Sequence, residues 1–346
     1  MARVLMLALL LFCGAAMAQH KNLYLYQGAD RDQKILEGAK KEKQVVVYTS
    51  LNTKDSVPIT QAFEKKYGVK VELWRSSSEK VLQRALTEAR AGRHSVDAFE
   101  LNGPEMEALY REGLLEEFWS PHFKSLPPAA FAKHRHYVAD RFNFFTIAYN
   151  TRLVKPEEVP NSYEDLLHPR WVGKIGIEAS DDDWFASIVK HMGEEKGLAL
   201  FRKLAQMKPQ LRTGHTLLAE LVAAGEIPLV ATIYNHNAER LVVNGAPIKW
   251  KALDPTFGRP NAVAVTKNAQ RPHAAMLFVD FMLSPEGQEL LKKRNRVPAS
   301  TAVETNLNKF PFHMIDPVIV LDEQAKWEKI WSELFLKGQA IKREAD

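Results

Sequence analysis

The chain has 346 residues, 26% charged and 46% hydrophobic, with a formal net charge of +5 and a single cysteine. This length suits two domains and a core that needs no disulfide or metal to hold it. Ordinary Gly and Pro usage excludes collagen-like and low-complexity classes, and basic residues spread along the chain exclude a nucleic-acid-binding tail.

Residues 1–18 read as a secretory signal peptide, with Arg3 as the positive start and residues 4–12 as an apolar run. Ala16-Met17-Ala18 then gives a small-x-small cleavage site before Gln19, and the run is too short to span a membrane. Cys13 follows Phe12, whereas lipoprotein processing wants a small residue there, so simple cleavage is expected rather than a lipid anchor. Loss of this segment removes the one cysteine, which excludes disulfide scaffolds, CxxC redox chemistry and thiol nucleophiles. The expected destination is the periplasm.

Strands and helices then alternate. Residues 45–48 form an apolar run that predicts a buried parallel strand. Ile59, Ala62, Phe63 and Tyr67 share one helical face, with Pro58 expected in the first turn and Gly68 as the stop. Residues 69–74 alternate as a strand. Ser76 and Glu79 have capping-box spacing ahead of a helix through residue 89. Residues 96–101 predict a third strand, and Pro104 opens a helix closed by Gly113. This β-α-β-α-β-α order predicts a parallel sheet with helices on both sides. A second such unit follows, with strands at 173–178, 227–234, 248–253 and 261–266. Its helices are expected at 184–191, 196–207 and 216–224, and again through residues 274–291. A C-terminal helix is expected over 322–337, with Trp327 and Trp331 as core residues.

Ligands of open parallel sheets sit beyond the carboxyl ends of the strands, near helix N-termini. Three such ends carry short polar residues: Thr49, Ser50 and Asn52; Ser76, Ser77 and Ser78 after Arg75; and Glu100 and Asn102. Each residue alone reads as an ordinary cap, but three clusters at one edge point to a binding site. In the second unit the matching groups are Ser180, Asp181 and Trp184, with Tyr149 near Asn150, and Tyr234, Asn235 and His236. Asp181, Asp182 and Asp183 read as acids favoured at a helix start rather than as a metal site. His134 and His136 read as solvated. Enzyme signatures such as G-x-S-x-G, H-E-x-x-H and G-x-x-x-x-G-K-[ST] are absent, and no cofactor is called for.

Five segments carry a family resemblance: 45–51 (VVVYTSL), 147–153 (IAYNTRL), 162–178 (SYEDLLHPRWVGKIGIE), 283–291 (LSPEGQELL) and 297–300 (VPAS). In this order the chain resembles bacterial extracellular solute-binding proteins of ABC importers, the class that includes ferric-ion-binding periplasmic proteins. The resemblance implies an α/β, two-lobed class II periplasmic binding protein fold, each lobe a mostly parallel sheet flanked by helices. Lobe one would comprise 19–140 plus 262–310, and lobe two 150–254. Hinge crossings would fall at 141–149 and 255–261, and a helical segment at 311–346. It also implies a small-molecule or ion ligand held between the lobes, hinge closure, and delivery to a membrane permease with its ATPase. The expected form is a monomer.

Ferric-binding relatives use several tyrosinate oxygens, including an adjacent pair, because hard Fe³⁺ prefers anionic oxygen. Here Tyr234 stands between Ile233 and Asn235, so one tyrosine of the pair is present; if the ligand were ferric ion, Tyr149 and Tyr234 would hold it. The serine-rich loop matches the region where relatives hold a small anion. The expected ligand is therefore an anionic or polar organic solute, with ferric ion as the alternative. A secreted small-molecule enzyme and a ligand sensor are the other two readings.

Overall fold

The computed structural model describes residues 20–337 and the backbone of 342–343; the expected signal segment, with Cys13, lies outside the described residues. The chain divides into two compact units. The first holds the described residues up to Arg141, then Pro260–Arg294 and Pro298–Glu304; the second holds Phe142–Arg259, Asn295–Val297 and the described residues from Thr305 on. Among the described residues no helix is long and apolar enough to cross a membrane.

In chain order the first unit begins with α1 (Arg31–Glu42), β1 (Gln44–Thr49), α2 (Thr53–Tyr67), β2 (Lys70–Arg75) and α3 (Ser78–Arg90). It continues through β3 (Ala98–Asn102), α4 (Gly103–Arg111) and β4 (Leu115–Glu116) to the long β5 (Val138–Asn150), which runs on into the second unit. The second unit then supplies β6 (Ile175–Glu178), α5 (Asp182–Met192), α6 (Glu194–Gln206), β7 (Gln210–Thr213) and α7 (His215–Ala224). β8 (Leu229–Tyr234), α8 (Asn235–Val243) and β9 (Ile248–Lys251) follow, and β10 (Phe257–Thr266) returns the chain to the first unit. There α9 (Pro272–Leu283) and α10 (Pro285–Lys293) complete the layers; α11 (Pro317–Trp331) belongs to the second unit.

In the first unit β1 lies between β2 and β3, parallel to both, and β10 pairs antiparallel with β3. Five of the six β1 residues are buried, as a strand covered on both faces requires. Phe63 of α2 is fully buried and meets Phe278 and Phe281 of α9 edge-on, each at 5.5 Å; burying such a side chain contributes about 1.5–3 kcal/mol. The sequence reading put Pro58 in the first turn of α2, but the helix starts five residues earlier, at Thr53, with Asn52 as its cap. Pro58 has no N–H for the carbonyl of Lys54. The Arg294 guanidinium donates to that carbonyl at 2.5 Å instead. The expected capping box at Ser76 does not form: Ser77 caps α3, accepting from the Lys80 N–H, and the Ser76 N–H pairs with the Thr49 carbonyl.

Sequence reading also missed most of β5, where Asp140, Arg141 and Asn143 interrupt the apolar pattern, yet all three are buried. The Arg141 guanidinium donates to Glu100 and to Asp140, the latter at 3.2 Å. One cation thus faces two carboxylates. Burial pushes the Asp140 carboxyl up to about 7, helped by the Glu100 charge and opposed by Arg141. Between the ordinary carboxylate range and that value the folded chain holds a proton that the unfolded chain has released. Stability is therefore expected to fall as pH rises from about 4 to about 7. Asp140→Asn imitates the protonated form, so urea midpoints measured across this window should show a weaker pH dependence than wild type. An unchanged slope would mean that Asp140 is ionised throughout.

The second unit repeats the plan. β6 lies between β7 and β8, parallel to both, and β5 pairs antiparallel with β8 and β9. Each sheet is thus parallel at its centre and mixed at one side. Its core joins Trp184 and Phe185 of α5, Phe201 of α6, and Trp327 and Trp331 of α11. The C-terminal helix starts at Pro317, five residues before the expected start, and passes into a π turn at Ser332–Leu336.

Candidate functional site

Because β6, β7 and β8 are parallel, their carboxyl ends gather at one edge of the second unit, each followed by a helix. Glu178 ends β6, and Tyr234 ends β8. His215 opens α7 after Gly214, whose φ of 108° is open to glycine. Arg259 reaches the group from β10.

Arg259 binds Asp183 through two nitrogens, Nε at 2.6 Å and Nη2, and its Nη1 donates to the Tyr234 hydroxyl. The guanidinium also lies over the Phe145 ring, 4.9 Å from its centre. Asp181 is 1% exposed; the Thr232 hydroxyl donates to one of its oxygens, and the other is 3.3 Å from His215 Nε2. Glu178 accepts the Ser180 N–H at 2.5 Å and the Gly214 N–H at 3.0 Å. The His215 ring rests on Tyr234 with centres 3.8 Å apart, and its Nδ1 is buried without a hydrogen-bond partner.

Burial is the largest cause in each titration shift here. It pushes Glu178 up to about 7, reinforced by the Asp181 charge, and Asp182 up to about 7, reinforced by Asp183. It holds the Tyr234 phenol well above its ordinary value, against the opposing pull of Arg259. Tyr234 is thus a neutral phenol that accepts from Arg259 and keeps its own proton to donate.

Of the expected site residues, the structure brings Ser180, Asp181 and Tyr234 together. It moves others away. Trp184 is core: 1% exposed and edge-on to Phe201 at 5.3 Å. Tyr149 does not meet Tyr234. β5 runs antiparallel to β8, so Phe145 stands opposite Tyr234 while Tyr149 stands opposite Leu229, at the other end of β8. At about 3.3 Å per residue, no single ion bonds both tyrosines. Asn235 is fully buried and donates to the Leu307 carbonyl at 2.7 Å, and His236 takes the Arg296 guanidinium. Both are therefore engaged in holding chain segments.

In the first unit, Thr49 donates to Glu100 and accepts the Leu51 N–H at 2.9 Å, while the Ser50 N–H pairs with the Glu100 carbonyl. Ser78 is buried and accepts the Asn102 N–H; Asn102 accepts from Asn261 at 2.7 Å. Glu100 is committed to Arg141. Ser50, Asn52 and Ser76 are half-buried and Ser77 is exposed, so these four present polar atoms at the surface of that strand edge.

Sequence reading missed Glu178, His215, Thr232 and Arg259. Arg259 had a signal: a lone cation just before an apolar strand, at Gly258-Arg259-Pro260. His215 had none, since a histidine at a helix start is commonplace.

The fold is that of the α/β periplasmic binding proteins. Solved structures of that fold superpose over most of the chain. Iron-bound HitA from Pseudomonas aeruginosa matches with a TM-score of 0.74 at 20% identity, covering 84% of this chain and 99% of that one. AfuA from Actinobacillus pleuropneumoniae, with fructose-6-phosphate bound, matches with a TM-score of 0.75 at 23% identity, covering 85% and 99%. In sequence, the Iron uptake protein A1 of Synechocystis is 25% identical over 296 residues, 78% of this chain and 79% of that protein. The profile of the bacterial extracellular solute-binding proteins matches residues 101–316, and the chain belongs to that family. It is a solute-binding protein and not an enzyme.

Proposed function

We propose that this protein captures a small polar organic solute in the periplasm and delivers it to the permease and ATPase of an ABC importer. The observation that carries the solute class is Tyr234, a buried neutral phenol bonded to Arg259. Fe³⁺ wants tyrosinate oxygen. Here burial opposes ionisation, the neighbouring positions are Ile233 and Asn235, and Tyr149 is at the far end of its strand. A phenol and a half-exposed edge of hydroxyls and backbone N–H groups suit hydrogen bonding to an organic molecule. The contact residues proposed in the second unit are Ser180 and Tyr234; in the first unit, taken by itself, Ser50, Asn52, Ser76 and Ser77 are the polar strand-end groups proposed to bind. The two compact units are then the two lobes, with residues 295–297 belonging to the second.

The test is a thermal-shift screen of ligand-stripped protein against carboxylates, phosphosugars, amino acids and ferric citrate. A binder present at 100 times its Kd adds roughly 2.7 kcal/mol of stability, and Tyr234→Phe is expected to remove much of that gain. A shift with ferric citrate alone, with a visible tyrosinate-to-iron absorption band, would replace the organic solute by iron. An unchanged gain in the variant would remove Tyr234 from the site.

A further inference from the structure

We infer that Glu178, Asp181 and His215 form a binding site for a divalent first-row transition-metal ion. One carboxylate oxygen of each acid and one imidazole nitrogen lie within 4.8 Å of one another. Ligands around 2.0–2.2 Å from a common ion fall within such mutual distances.

Charge balance separates this trio from the rest of the cluster. Arg259 is the cation of the group, and Asp183 takes it through two nitrogens. Its approach to Asp181 is a longer 3.6 Å. Among the described residues no arginine or lysine pairs with Glu178. Glu178 and Asp181 therefore share an imidazole and one outer ion pair, to a guanidinium already bound by Asp183. Buried like charges at this distance need a cation or a proton.

The three side chains are also held in place. Two backbone N–H groups fix the Glu178 carboxylate, the Thr232 hydroxyl fixes Asp181, and the Tyr234 ring supports the imidazole. Such supporting contacts orient metal ligands. One nitrogen and two oxygens suit Zn²⁺, Co²⁺ or Mn²⁺ better than Ca²⁺ or Mg²⁺, which prefer all-oxygen shells. Three protein ligands leave room for water or for an oxygen of another molecule. The site adjoins Ser180 and Tyr234 of the solute reading, since Glu178 accepts the Ser180 N–H and His215 rests on Tyr234, but none of its three ligands belongs to the tyrosine set of the ferric reading.

The test is titration of metal-stripped full chain with Co²⁺ and with Zn²⁺, read by the visible Co²⁺ spectrum and by calorimetry. One equivalent is expected to bind, with Zn²⁺ displacing Co²⁺. Glu178→Gln and His215→Ala should each weaken binding at least tenfold, and His136→Ala in the first unit should leave it unchanged. Circular dichroism and melting curves establish that each variant folds; His215→Gln replaces the alanine variant where it does not. Absence of saturable binding would overturn the site and assign the carboxylate pair a shared proton. Binding that survives both substitutions would overturn it equally. The readout is metal alone, so a negative solute screen leaves this result standing and the reverse holds too.

Discussion

Replacing Arg259 by methionine is expected to destabilise the protein by about 3–5 kcal/mol, the usual cost of leaving a buried charge without its partner. The guanidinium holds Asp183 through two nitrogens, bonds the Tyr234 hydroxyl and covers the Phe145 ring. Methionine keeps much of the side-chain volume, so the loss isolates the charge. Asp183, 6% exposed, would be left facing Asp182 and Asp181 with no cation beside it. Asp183→Asn in the same chain should recover part of the loss, because partners in one network are not additive. Urea unfolding of the two single variants and the double variant measures the coupling. A double variant as unstable as the two single losses combined would show that Arg259 acts by packing on Phe145 rather than by charge.

Trp331→Ala is expected to cost about 3–5 kcal/mol, as for large aromatic truncations in a packed core. Trp331 is 2% exposed and packs on Phe335 at 4.5 Å and Phe185 at 5.5 Å. Its indole N–H donates to the Ala179 carbonyl at 2.7 Å, tying the C-terminal helix to the loop that carries Ser180 and Asp181. Trp331→Phe keeps most of the packing and loses the hydrogen bond, so it should cost much less, about 1 kcal/mol from the bond with a further amount from lost volume. Calorimetric melting of the two variants separates these contributions. Equal losses would show that the bond to the loop, and not the packing, holds α11 in place.

How legible this protein was in its sequence depends on the element. β1 and β8 were readable because a strand covered on both faces must be apolar at nearly every position, which makes runs such as Val45-Val46-Val47 unambiguous. β5 was not readable beyond its last residues. Its Arg141 bonds both Asp140 and Glu100, the latter from a distant strand, and a local pattern cannot register a partner that is 41 residues away. Pro58 was misplaced for a similar reason. A proline inside a helix is penalised locally, and here a guanidinium 240 residues away takes the carbonyl it leaves open.

The site divides in the same manner. Ser180, Asp181 and Tyr234 were legible as candidates because parallel sheets place ligands at strand ends, and strand ends are visible as polar residues after apolar runs. Trp184 was counted in for standing beside them, yet a helix rotates its third residue to the opposite face, into the core. Tyr149 was paired with Tyr234 through the resemblance to ferric-binding relatives, and strand direction separates them.

The sequence by itself determined the α/β class, the order of elements and which strand ends are polar, since these follow from local periodicity and composition, while five sequence segments carried the family resemblance. Only the tertiary structure decided which charges face which. Arg259 belongs to Asp183, Glu178 and Asp181 meet at His215, and Tyr234 stays neutral, because burial and long-range pairing are properties of the folded neighbourhood and not of any segment.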